Sequence, residues 1–109
     1  MPLPSVTIEP LAEAVWVVSL VGEHDLATAP EVRQAIDQAA AEGGRVVIDL
    51  TQATFIDSTI IGAIVAVPGE PMVITAEGSH PRHALRLVHA DRAVRFVDSR
   101  ADALRAIDG

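Results

Sequence analysis

Asp57-Ser58-Thr59 sets one carboxylate beside two hydroxyls where a strand-like run, Phe55-Ile56, gives way to a helix-like one. Open α/β sheets present functional groups beyond the carboxyl ends of their strands, so this position is a candidate for nucleophilic, phosphoacceptor or docking chemistry. Asp and Ser are also favoured helix N-caps, and an oxygen that accepts orphan backbone N–H bonds needs no further purpose. On spacing alone the plain cap is the stronger reading.

Enzymatic uses of the triplet lack their supporting parts. Ile56-Asp57-Ser58-Thr59-Ile60 has no Gly-x-Ser-x-Gly elbow, and nothing in the sequence sets a histidine beside Ser58. An aspartate phosphorylated at a strand end, as in two-component receivers, would want a phosphate-contacting lysine. The chain has none, its 8 basic side chains all being arginine. Cysteine is absent too, which removes thiol nucleophiles, thiolate metal sites and disulfides. His80 and His83 lie near a helix start, but Pro81 is expected to break a shared helix and no third acidic ligand stands nearby. They and His89 read as surface or packing residues. Gly43-Gly44 precedes a strand, the reverse of a phosphate-binding loop, and Trp16 among valines reads as core or covered sheet face. No metal or other cofactor is expected, and the chain is expected not to be an enzyme.

The elements that must position the triplet alternate between strand and helix patterns. Val6-Thr7-Ile8 alternates and is expected to end at Pro10; Val15 to Val21 is a β-branched run too short for a helix. Thr28-Ala-Pro-Glu31 has capping-box spacing, and Val32, Ala35, Ile36, Ala39 and Ala40 follow at helical intervals until Gly43-Gly44. Arg45 to Leu50 reads as a buried strand returning through a right-handed crossover. Ser58 to Val67 is apolar nearly all round, a short buried helix stopped by Pro68-Gly69. Met72 to Thr75 reads as a strand, Arg82 to Val88 as a helix and Val94 to Val97 as a last strand, with Ser99-Arg-Ala-Asp102 capping a terminal helix. This predicts an α/β fold, a mixed sheet of four to five strands packed with about four helices.

At 109 residues the chain is expected to form one domain over 1–109, with 1–5 as a lead-in. No apolar run is long enough to span a bilayer, and Met1-Pro2-Leu3-Pro4 lacks a charged signal-peptide start, so a cytoplasmic protein without membrane insertion is expected. The net charge of −7 is uneven: residues 1–81 hold two arginines against eleven acids, and residues 82–109 hold six against four. That distribution lacks the basic footprint of a nucleic-acid binder and points to basic or mixed protein partners.

Phe55-Ile-Asp-Ser-Thr-Ile-Ile-Gly62 resembles the Phe-x-Asp-Ser-Ser-Gly-Leu-Gly signature of STAS-domain anti-sigma-factor antagonists. Gly22-Glu-His-Asp-Leu-Ala-Thr-Ala-Pro-Glu31 resembles that family's Gly-Glu-Leu-Asp-x-x-Thr-Ala stretch, and Val46 to Leu50 its core strand. The resemblance covers about residues 6–107, and two linked motifs are more specific than one. It implies phosphorylation at Ser58, with Thr59 the lesser acceptor, by an anti-sigma factor that is itself a serine kinase of the histidine-kinase-like ATPase type. A phosphatase would be a further partner.

The partner surface it implies joins Glu23, His24 and Asp25, read as a loop, to Asp57, Ser58, Thr59, Ile60 and Ile61. Glu23 and Asp25 read equally well as ordinary solvated acids. The function implied is regulation of sigma-factor-dependent transcription. Its alternative is a STAS subunit that is not phosphorylated and serves a multiprotein assembly such as a lipid-transport ATPase complex. Two departures from the family pattern stand out: Ile60 where glycine is usual, and the early helix stop at Pro68.

Overall fold

Two β-branched runs near the start of the chain meet as an antiparallel pair in a computed structural model of the protein, which describes residues 3–108. These are β1 (Ser5–Ala12) and β2 (Val15–His24). Next come α1 (Ala29–Ala41), β3 (Arg45–Ile56), α2 (Ser58–Val65), β4 (Met72–Ile74), α3 (His80–Leu87), a 3-10 turn (Ala90–Arg92), β5 (Arg95–Val97) and α4 (Arg100–Asp108). The five strands lie side by side in sequence order, and β2 through β5 run parallel. The expected mixed sheet with four α-helices is therefore observed.

Strand alternation divides the core in two. Val18, Leu20, Ile48, Leu50 and Val73 face α1, α2 and α3, which contribute Val32, Ile36, Ile60, Ile64 and Leu85. Val15, Val17, Val47, Met72 and Ile74 face the other way, under Ala103 of α4. Full burial of each large aliphatic side chain contributes about 1.5–3 kcal/mol, which makes these layers the main stabilising term. Trp16 is partly buried against the larger core.

Several local expectations need correction. The first strand continues through Pro10, because β1 is an edge strand and the register slips between Pro10 and Ala12. Of the expected lead-in, residues 1 and 2 lie outside the described residues, and Ser5 already opens β1. The capping box at Thr28 does not form, since its side chain makes no cap bond and is held by the preceding turn instead. Pro81 does not separate His80 from His83; it lies in the first turn of α3, where a missing N–H costs nothing.

The third strand is twelve residues long and outruns the expected Arg45 to Leu50. Its register against β2 slips between Ser19 and Val21 and again between Gly22 and Glu23, and each slip places an extra residue on β3. Buried positions consequently move from Ile48 and Leu50 to Ala53 and Ile56, at intervals of three instead of two. That broken alternation hides the second half of the strand in the sequence.

The turn at Gly43-Gly44 has two separate requirements. Gly43 has φ of +82°, which suits a glycine just past a helix end. A Cβ on Gly44 would stand 2.1 Å from the Ala14 carbonyl oxygen, so the backbones of two loops meet there.

Two arginines fasten the later helices. Buried Arg82 of α3 donates from Nε to Thr75 Oγ1 at 2.7 Å, pairs with Glu77 and Asp98, and lies over the Phe96 ring. Arg100, at the start of α4, reaches Glu9 of β1 at 2.8 Å, Asp49 of β3 at 3.1 Å and the Ser19 hydroxyl of β2 at 3.1 Å. The hydrogen bond to Glu9 first, and then the pairing with Asp49, push the Arg100 guanidinium above its ordinary pKa against the opposing effect of burial.

Candidate functional site

At the C-terminal end of β3 the backbone turns from Ile56 into α2, and Asp57 makes the turn. Its Oδ1 accepts the backbone N–H groups of Thr59 at 3.0 Å and Ile60 at 3.1 Å. These are two of the orphan donors that every helix start must satisfy. The cap is therefore the aspartate, and Ser58 stands one position inside the helix. Ser58 is exposed, and its hydroxyl has no hydrogen-bond partner among the described residues.

Beside this turn, β2 ends at Glu23 and His24, which pair with Phe55 and Ile56 of β3. Alternation sends Glu23 and Phe55 outward and His24 and Ile56 inward. The His24 ring is fully buried, with Nε2 donating to the Val21 carbonyl at 3.0 Å. Because a carbonyl can only accept, Nε2 carries a proton, and Nδ1 lies 3.0 Å from the Thr28 hydroxyl oxygen. Thr28 Oγ1 also receives the Asp25 N–H, and Asp25 Oδ1 accepts the Ala27 N–H at 2.9 Å. His24 thus braces the tight turn leading into α1, with Asp25 and Leu26 projecting outward from it.

Part of the expected docking surface is displaced by these facts. Glu23, Asp25 and Ser58 are exposed, and Asp57 and Thr59 are half-buried. His24 is internal, so its side chain braces the turn and cannot meet a partner from outside. Ile60 and Ile61 are buried as well. Branched Ile60 in the first turn of α2 fills the core beneath the sheet and offers nothing to the surface.

Sequence reasoning missed the companion of Phe55. The Phe55 ring is 40 % exposed and stacks on the His80 imidazole, with centroids 5.0 Å apart and planes at 20°. His80 Nε2 makes a long 3.5 Å contact to the Ile56 carbonyl. The start of α3 is thereby drawn against the end of β3, next to Asp57 and Ser58. Leu26, at 72 % exposure, adds a second apolar side chain to this end of the sheet. An aromatic two positions before Asp57 was the available signal; its partner, 25 positions along, had none. Among the described residues no group of three or more His, Asp or Glu side chains could hold a metal ion.

A family model described as "Mlab, STAS domain" matches residues 9–98. The chain belongs to the STAS-domain family. Among solved structures, a STAS-like relative is the anti-sigma factor antagonist from Mycobacterium paratuberculosis, 26% identical with a TM-score of 0.85, covering 98% of this chain and 96% of that one. The phosphorylated form of the Bacillus cell fate determinant SpoIIAA has 18% identity and a TM-score of 0.64 over 94% of this chain and 99% of its own. A putative anti-sigma factor antagonist from Thermotoga maritima has 18% identity and a TM-score of 0.77 over 97% and 95%. The last two likenesses establish the fold. A search of curated proteins finds no match. Among the described residues, no helix of this STAS domain is long and apolar enough to cross a membrane.

Proposed function

We propose that this STAS domain is a cytoplasmic anti-sigma-factor antagonist, a binding switch and not a catalyst, whose docking to an anti-sigma factor is controlled by phosphorylation of Ser58. The observation that carries the reading is the division of labour at the start of α2. Asp57 takes the cap, which leaves the Ser58 hydroxyl exposed and unengaged. Such a serine can accept a phosphoryl group without breaking any bond that holds the fold. Likeness to a structure described as an anti-sigma factor antagonist supports the same reading.

A phosphate at Ser58 adds a charge of about −1.5 to −2 at neutral pH. It would enter an edge that already presents Asp57, Glu23 and Asp25. A basic partner pressed against Glu23, Asp25, Asp57, Ser58 and Thr59 in the unmodified state would be re-registered or expelled by the new charge, while the domain stays folded. Phe55 and Leu26 supply the apolar part of that interface. The partner proposed is an anti-sigma factor with serine-kinase activity of the histidine-kinase-like ATPase type, and a phosphatase would reset the switch.

Incubation with the cognate kinase and ATP should place one phosphate on Ser58 and weaken the complex. If Ser58→Ala leaves both phosphorylation and binding unchanged, the assignment fails. A second reading makes the same edge a constitutive docking face in an assembly such as a lipid-transport ATPase complex. It is favoured by the matched family description, which names Mlab, and by α2, whose eight residues include no charge. Stable co-purification with an ATPase, insensitive to Ser58→Asp, would select it over the switch.

A further inference from the structure

Ser58 and Gly62 stand four residues apart on α2 and therefore lie on one face, about 5–6 Å apart at the Cβ positions. A Cβ on Gly62 would sit 3.9 Å from Nη2 of Arg33, so the guanidinium of this α1 residue already rests on α2 one turn below Ser58. Arg33 is exposed and makes neither an ion pair nor a side-chain hydrogen bond among the described residues. Gly62, without a side chain, leaves the surface between the guanidinium and Ser58 open.

The other arginines are committed elsewhere or lie far off. Arg82 and Arg86 hold Glu77, Arg100 holds Glu9 and Asp49, and Arg105 holds Asp102. Arg45 and Arg95 start β3 and β5, and Arg92 ends the 3-10 turn that leads into β5, all at the opposite end of the parallel strands from Asp57. Residues 1–81 contain only Arg33 and Arg45 as basic side chains against eleven acids. Among the described residues, Arg33 is therefore the unpaired cation that stands beside the hydroxyl.

We propose that Arg33 is a positioning residue for the phosphorylated state, holding the phosphoryl group of phosphoserine 58 across the α1–α2 seam. This rests on Ser58 being the phosphoacceptor. Guanidinium offers a planar fork of donors that matches two phosphate oxygens, and charge-assisted bonds of this kind are about twice as strong as neutral ones. Rotation about the free Arg33 side chain brings the fork to the phosphate with no ion pair to break. Asp37, one turn further along α1, is the acid at i,i+4 spacing from Arg33 and makes no ion pair with it among the described residues, so the guanidinium has no carboxylate to leave. The modified domain gains an internal clasp between α1 and α2 where the unmodified one has a loose side chain, so the phosphate presents a fixed shape to whatever partner reads it.

The test installs phosphoserine at position 58 by genetic code expansion, so that no kinase is needed, and follows the phosphate by phosphorus NMR titration. Arg33→Ala should raise the second phosphate pKa by about half a unit, the shift expected for a partly exposed ion pair. Arg33→Lys should recover part of it, and the melting temperature of the unphosphorylated protein should not move. Identical titrations with and without Arg33 would overturn the inference. If Arg33 shifts the installed phosphate while the cognate kinase leaves Ser58 unmodified, the clasp stands and the phosphorylation switch falls, so the two failures are separable.

Discussion

Replacing Arg82 with methionine tests whether a buried guanidinium organises the loop behind the candidate site. Arg82→Met keeps the apolar stem and removes the charge. The largest loss is at Thr75, whose fully buried hydroxyl accepts from Arg82 Nε at 2.7 Å. A hydrogen bond to a charged donor contributes about 1.5–3 kcal/mol, and the hydroxyl left behind is closed off from bulk solvent. The guanidinium also lies 4.8 Å from the Phe96 ring centroid, a contact of about 0.5–1 kcal/mol or more. Glu77 and Asp98 are 77% and 72% exposed and return to solvent, so their two ion pairs add little.

The expected destabilisation is roughly 2–4 kcal/mol, a large part of a typical domain's stability. Urea unfolding followed by the fluorescence of Trp16 should show a lower midpoint at unchanged slope. Thr75→Val removes the stranded hydroxyl, so the double variant should be more stable than the sum of the single losses predicts, by about 1 kcal/mol. An Arg82→Met loss under about 0.5 kcal/mol, or strict additivity with Thr75→Val, would refute this account.

Further expectations concern the cap, the close turn and the last helix. Asp57→Ala should cost about 1–2 kcal/mol by stranding the Thr59 and Ile60 N–H groups, whereas Asp57→Asn keeps the cap and Ser58→Ala stays within about 0.5 kcal/mol, by thermal unfolding. Gly44→Ala should cost about 2 kcal/mol or more, because the new Cβ meets a backbone oxygen that no rotamer change can move; a wild-type denaturation midpoint would contradict it. Arg100→Gln should cost about 1–2 kcal/mol by unpairing the buried Asp49 carboxylate, and hydrogen exchange should quicken in α4. The folded-state pKa of Arg100 is raised, so its contribution is complete below the unfolded-state value and is lost only as pH rises through the folded one. From this group, stability should therefore be flat with pH across the neutral range and decline only in strong alkali.

Most elements were legible because their burial follows a simple period. The run Val15 to Val21 and the helical spacing of Val32, Ile36 and Ala39 each report a face turned to the core, and both became the expected elements. The second half of β3 was not legible, since two extra residues against β2 shift its inward positions to every third residue. The capping box at Thr28 misled for a different reason. Its hydroxyl had a better-placed partner in buried His24, a choice made by the turn at Asp25 and not by local preference.

At the candidate site the sequence determined the chemistry available: a carboxylate and two hydroxyls at a strand end, no lysine, no cysteine and an acidic first part of the chain. Local preference could not decide between Asp57 and Ser58 as cap, because both residue types satisfy helix N–H groups. Tertiary structure decided it by fixing where β3 releases the chain into α2, which gave the cap to Asp57 and left Ser58 free. It also turned His24 and Ile60 inward and brought His80 to Phe55 and Arg33 to Gly62. Side chains far apart in sequence meet only where the sheet and its helices carry them, so no period within a single segment encodes those neighbours.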